Sequence, residues 1–238
     1  MIEFKPVRLE DKQIIERHTM PSGILNCDLA FANMYCWQAM YHSAWAVIDG
    51  FLVIRFHIGG GEKIGYMQPV GEGDFAGIIP ALRAHAHGQR LRIIGLTDEG
   101  REMIRNMHAG LFAFESDRAL EDYVYNAEDL RNLTGRRYQP KRNHINRFMS
   151  EYPDFRYENL TRDRFAECMQ LEREWRRAHE GHTSELCAEQ RAMQRAFDHF
   201  EELEMLGGCI YVGDKLVAFT FGSAVNDHTF DTHVEKAD

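Results

Sequence analysis

Twice in this chain a two-residue Asp/Gly step separates two apolar runs of strand length. Asp49-Gly50 lies between residues 44–48 and 51–58, and Gly213-Asp214 lies between residues 208–212 and 216–223. Such pairs accept positive φ, so they join antiparallel strands with the twist a sheet needs. Each predicts a β-hairpin, and the segments around the two hairpins follow the same order. Before the first come a short strand (2–8), a charged periodic helix (9–18), a break at Pro21-Ser22-Gly23 and a helix to Met40 that Asn26 or Asp28 can cap. Gly59-Gly60-Gly61 then turns into a third strand at 63–70. Before the second hairpin come a strand (155–160) and two helices (163–179 and 184–206). Their apolar faces are Phe165, Met169 and Trp175, then Met193, Phe197 and Phe200. A third strand follows at 229–235.

The first copy continues with a helix at 74–87, a buried-type strand at 91–96 and a helix at 98–107 opened by Thr97. Two short strands are expected in 111–125 around Asp117-Arg118. The repeated order predicts an internal duplication at the level of elements. Its second copy ends after its third strand. A sheet left there exposes an edge that proteins normally cover, so the second domain reads as truncated. The expected fold class is α+β, with mixed central sheets flanked by helices. The expected domains are 1–130, a connector helix at 131–153 and a second domain at 154–238.

The connector is a basic island in an acidic protein. Residues 131–147 hold six cations (Arg131, Arg136, Arg137, Lys141, Arg142, Arg147) and no acid. An even spread of the chain's 28 Lys+Arg would put about two there. Pro140 suits the first turn of a helix, where its missing N–H costs nothing. Ile145, Phe148, Met149 and Tyr152 then recur on one face. Lys141 and Arg142 flank that stripe in the first turn, the wrong sign for the helix dipole unless an anion sits there. The competing reading is that they are solvated flanks lying over the core edge.

Net charge of −9 argues against duplex-DNA binding and leaves room for a local anion site. Five cysteines without a C-x-x-C, and twelve His without clustered ligand spacing, predict reduced thiols, a cytoplasmic protein and no structural zinc. His179 and His182 flank Gly181 but lack a third ligand. The longest apolar run, 44–54, is cut by Asp49-Gly50, so no integral membrane segment is expected. Trp37, Trp45 and Trp175 read as core or pocket wall. His85 and His87 end a helix, and Glu185 and Glu189 sit near a helix start, where each suits the dipole.

The element order resembles the acyl-CoA N-acyltransferase (GNAT) superfamily. Two copies in tandem resemble the Fem-type aminoacyl transferases. More closely, the chain is similar to the family sharing the C-terminal domain of phosphatidylglycerol lysyltransferase. The resemblance rests on Lys141-Arg142-Asn143 with Phe148, on Gly208-Cys209-Ile210-Tyr211-Val212, on Val217-Ala218-Phe219 and on His233-Val234-Glu235-Lys236-Ala237. It implies transfer of an aminoacyl group from charged tRNA, or an acyl group from a thioester, to an amine or hydroxyl. The acceptor would be a small molecule or a lipid headgroup, with no tightly bound cofactor. Arg136, Arg137, Lys141 and Arg142 would hold the anionic donor, either a tRNA acceptor end or a phosphate.

Two further sets of residues acquire candidate roles. Gln68-Pro69-Val70-Gly71-Glu72-Gly73 matches the Q-x-x-G-x-G loop with which GNAT enzymes cradle the CoA pyrophosphate. Gln68, Gly71 and Gly73 are thus candidate CoA contacts, although Glu72 and Asp74 put negative charge there. On the last strand, His233 and Glu235 share one face and Lys236 the other. His233 or Glu235, if partly buried, would act as general base, and Lys236 would stabilise an oxyanion. The competing reading is a polar edge face or structural ion pairs. The leading reading is an acyltransferase of aminoacyl-transfer type. The alternatives are a CoA-dependent N-acetyltransferase, or a non-catalytic GNAT-like protein that binds an anionic ligand or RNA end.

Overall fold

A computed structural model describes residues 2–58, 61, 63–178 and 184–238, without the side chains of 184 and 185. Gly59, Gly60, His179, Gly181, His182 and the Glu185 side chain lie outside the described residues. The fold is mixed α+β with two sheets. The chain sorts into two compact units. Unit 1 comprises Met1–Asp117, His182–Met205 and Ser223–Asp231, and unit 2 comprises Arg118–Gly181, Leu206–Gly222 and Thr232–Asp238.

In unit 1, β1 (Lys5–Pro6) and α1 (Lys12–Thr19) lead through a left-handed Gly23 to α2 (Phe31–Cys36) and α3 (Gln38–Tyr41). The first strand is shorter than 2–8, and the single expected helix is broken into a 3-10 turn and two short helices. Asn26 does cap, but it caps the 3-10 turn, accepting from the Asp28 N–H. β2 (Ala44–Ile48) and β3 (Phe51–Ile58) form the expected hairpin, with Ile48 opposite Phe51. Asp49 and Gly50 both take positive φ, the requirement of a tight two-residue turn. β4 (Lys63–Met67) pairs antiparallel with β3. Val70 then exchanges both backbone bonds with Leu52.

α4 (Ile79–His85) follows a 3-10 turn, and β5 (Ile93–Ile94) joins β4 in parallel. The sheet order is β1-β2-β3-β4-β5. α5 (Asp98–Met107) has the expected bounds because its start is chemically specified. Thr97 Oγ1 accepts from the Gly100 N–H at 3.0 Å, and Asp98 and Glu99 face the dipole. Its core contains Phe51, Val53, Tyr66, Phe75, Leu82 and Ile104.

No strand forms in 111–125. Leu111, Leu120, Tyr123 and Val124 are exposed there, and a strand without a neighbour leaves its backbone groups unpaired. α6 (Ala127–Asn132) follows, and then α7 (Gln139–Glu151), the basic helix. Pro140 sits in its first turn, as expected. The expected buried stripe does not form: no residue of α7 is buried, and Ile145, Met149 and Tyr152 are 41–47% exposed. Phe148, half-buried, meets Tyr152 and Phe155 instead.

β6 (Arg156–Asn159) and α8 (Phe165–Ala178) complete the first half of unit 2. α9 (Ser184–Asp198) belongs to unit 1, where Met193, Phe197 and Phe200 are buried and the helix packs on α2 and α3. β7 (Leu206–Val212) and β8 (Lys215–Asn226) form the second hairpin, turning at a positive-φ Gly213. β9 (Thr229–Ala237) ends the sheet, in the order β6-β7-β8-β9.

Candidate functional site

The basic segment turns out to be partly committed. Leu133 ends α6 in a left-handed conformation and leaves carbonyl oxygens without helical partners. Arg142 donates to the carbonyls of Leu133 and Gly135 (2.9 Å for the latter) and to Gln139 Oε1. The buried Tyr138 reaches Asp129 of α6 at 3.4 Å. Arg142 therefore fixes the corner between α6 and α7. Arg147 pairs with Glu151 at 2.7 Å.

The other cations stay available. Arg131, Arg136, Arg137 and Lys141 are exposed, and among the described residues none pairs with a carboxylate. Arg137 lies 5.2 Å from the Tyr138 ring and Lys141 5.8 Å from that of Tyr125. Tyr123, Tyr125 and Tyr152 are exposed aromatics of the same unit.

On β9 the side chains alternate as the strand period requires. Val234 and Lys236 are buried, His233 is half-buried and Glu235 is exposed. Partial burial, the condition set for a base, is met by His233 and not by Glu235. Lys236 is only 8% exposed and places its ammonium 4.0 Å from the centre of the Trp175 ring. An ammonium on an indole face is held there by cation–π attraction. Trp175 thus does more than form a wall.

The same face of α8 carries two residues that sequence reasoning missed. Glu172 is 1% exposed, with Arg176 Nε at 3.7 Å. Glu172, Trp175 and Arg176 are spaced i, i+3 and i+4, which puts them on one helix face. The signal was a carboxylate set between the apolar Met169 and Trp175.

One helical turn earlier lies a second polar group. Tyr211 donates to Glu167 Oε2 at 3.0 Å and accepts from Arg164 at 3.4 Å, and Arg164 pairs with Glu158 at 2.5 Å. Burial first, then the neighbouring Glu167 carboxylate, push the phenol up to about 12, so it stays a neutral donor. Behind it the buried Cys168 and Cys209 thiols face each other. The hydrogen bond that Cys168 donates to Cys209, then burial, holds Cys168 protonated. This network ties β6, β7 and α8 together beneath the Gly208-Cys209-Ile210-Tyr211-Val212 segment.

The loop at Gln68, Gly71 and Gly73 is occupied by its own chain. Gln68 is buried, and its Oε1 accepts from the Thr97 N–H at 2.8 Å. A Cβ at Gly71 would lie 2.8 Å from the Gly50 carbonyl, so this glycine serves close packing on the first hairpin. Gly73 takes φ of 95°. Asp74 accepts from the Ala76 N–H at 2.8 Å, where a pyrophosphate would need that donor. Among the described residues no group of three His, Cys, Asp or Glu is placed to hold a metal, and no helix is long and apolar enough to cross a membrane.

Fold and residues together define an α+β protein with a buried lysine on the last strand of its second sheet and, in residues 131–141, four exposed cations that pair with no carboxylate among the described residues. The chain matches the model of the family "Phosphatidylglycerol lysyltransferase, C-terminal" over residues 22–238, and it belongs to that family. It is similar along its whole length to a crystal structure of a conserved protein of unknown function from Bacteroides thetaiotaomicron VPI-5482. Identity is 41%, the TM-score is 0.94, and the match covers 100% of this chain and 81% of that one. No curated protein matches the chain.

Proposed function

We propose that this protein is an acyltransferase of aminoacyl-transfer type, built from two GNAT-like halves. Family membership supports the reaction class. The two sheets, β1-β2-β3-β4 with β5 appended and β6-β7-β8-β9, repeat one strand order, which supports the duplication. The observation that carries the proposal is Lys236, a buried cation on the last strand that no other β9 candidate matches in burial.

The acceptor nitrogen or oxygen would attack the ester carbonyl of the charged donor, forming the new C–N or C–O bond. The bond to the tRNA ribose oxygen then breaks, and the acceptor's proton passes to that oxygen. Lys236 would stabilise the oxyanion formed between these events, and His233, half-buried two residues before Val234's neighbour Glu235, would carry the proton. The exposed Arg131, Arg136, Arg137 and Lys141 suit the phosphates of an RNA end, and Tyr123 and Tyr125 suit unstacked bases.

The test is transfer of labelled amino acid from a panel of charged tRNAs to free amines and to phosphatidylglycerol vesicles. Lys236→Met should abolish turnover while RNA binding persists. Binding of tRNA without turnover on any acceptor would instead identify a non-catalytic binding protein. Neither binding nor turnover would overturn the proposal.

A further inference from the structure

We infer that unit 1 carries a binding site for a small dianion, phosphoryl or carboxylic, held by the guanidiniums of Arg55 and Arg195. The two residues come from distant parts of the chain, one on β3 and the other on α9. They line one cavity of about 360 Å³ with Phe4, Pro6, Gln38 and His42. Pockets that hold small molecules begin at about 300 Å³, so the volume suits a small molecule and not a polymer.

Each guanidinium lies over an aromatic ring. Arg55 is 5.1 Å from the centre of Phe4, and Arg195 is 4.2 Å from that of Tyr35. Cation–π attraction holds each guanidinium over its ring and leaves its N–H groups for a planar or tetrahedral anion. Those donors are unspent. Among the described residues neither arginine makes an ion pair or a hydrogen bond, and the Nε of each is buried without an acceptor. Two half-buried cations of like sign in one cavity repel each other, and an uncompensated buried donor is costly. An anion with oxygens for both removes both penalties.

The surroundings supply no competing charge. Among the described residues no carboxylate lines the cavity, and His42, held at φ of 48° by the end of α3, adds a third donor beside them. The neighbours register the open charge. His85, whose ring lies 4.7 Å from that of Phe4 at a tilt of 56°, is held below its usual range by burial first and then by Arg55. Burial pushes the Cys36 thiol up to about 12, against the opposing pull of Arg195.

The experiment is calorimetric titration of the full chain with inorganic phosphate and, separately, with succinate, at fixed ionic strength. At least one should bind with unit stoichiometry. Arg55→Gln and Arg195→Gln should each weaken it by about tenfold to a hundredfold, the worth of a charge-assisted bond. Arg118→Gln, an exposed arginine paired with Glu121, should leave it unchanged. Tighter phosphate assigns the site to phosphoryl compounds, and tighter succinate assigns it to dicarboxylates. Ala39 also lines the cavity, and Ala39→Phe, which adds a ring there while keeping both cations, should also abolish binding and so covers the case in which the arginine variants fail to fold. Absence of binding by both probes, or binding that survives all three cavity variants, would overturn the inference.

Discussion

Two sets of arginines in this protein look opposite in sequence and reverse their roles in the fold. Around α7 the cations are clustered and conspicuous, yet Arg142 spends its donors on Leu133, Gly135 and Gln139, and Arg147 spends its charge on Glu151. Arg55 and Arg195 are far apart in sequence, yet among the described residues neither spends its donors, and both line one cavity. Charge density along a chain therefore does not measure the charge a ligand can reach. What counts is which donors the local backbone has already consumed.

The largest effect that separates the two sets should come from Arg142→Ala. Three acceptors at the α6–α7 corner lose a charged donor, and unfolding in urea should show a loss of about 1.5–3 kcal/mol. A neutral result would return Arg142 to the ligand-binding cations. Arg195→Gln should behave differently. Losing the stack on Tyr35 costs about 0.5–2 kcal/mol, but relief of an unpaired half-buried charge offsets it. Its unliganded stability should lie within about 1 kcal/mol of the parent, and a large loss would make Arg195 a structural residue.

Arg164 is a third case, a cation spent on Glu158 and on the Tyr211 phenol. Tyr211 has its ionisation raised on folding. Its contribution to stability is complete below the unfolded value of about 10 and is lost as pH rises toward about 12. Alkaline denaturation should therefore be shallower for Tyr211→Phe across that window, and an unchanged profile would remove the phenol from the network. The smallest effect on stability should come from Arg136→Ala with Lys141→Ala, within about 0.5 kcal/mol because both are exposed and, among the described residues, neither pairs with a carboxylate. Under the proposed function the same pair should lower the slope of log affinity for tRNA against log salt by about one to two. A loss of stability without a change in slope would place them with Arg142.

Much of the fold was legible where local chemistry decides it. The turn at Asp49-Gly50 specifies its hairpin, and Thr97 specifies the start of α5, so both elements have the expected bounds. The strands expected in 111–125 did not form. Their apolar residues carry no information about whether a neighbouring strand exists, and without one they lie exposed. The stripe of α7 failed in the same way, since helical periodicity shows that residues share a face but not that anything covers it. Within the candidate site, the alternation on β9 was legible, and it separated Lys236 from Glu235 correctly by face. Glu172 was not, because only packing reveals that a carboxylate on α8 is 1% exposed.

The sequence by itself determined the two hairpins, the start of α5 and the basic character of residues 131–147, because turns, caps and local charge act over a few residues. Only the tertiary structure decided which cations remain free. Whether a guanidinium meets a carbonyl, a carboxylate or an empty cavity depends on residues brought together from distant parts of the chain. That is why Arg142 became a brace, Lys236 came to rest on Trp175, and Arg55 met Arg195.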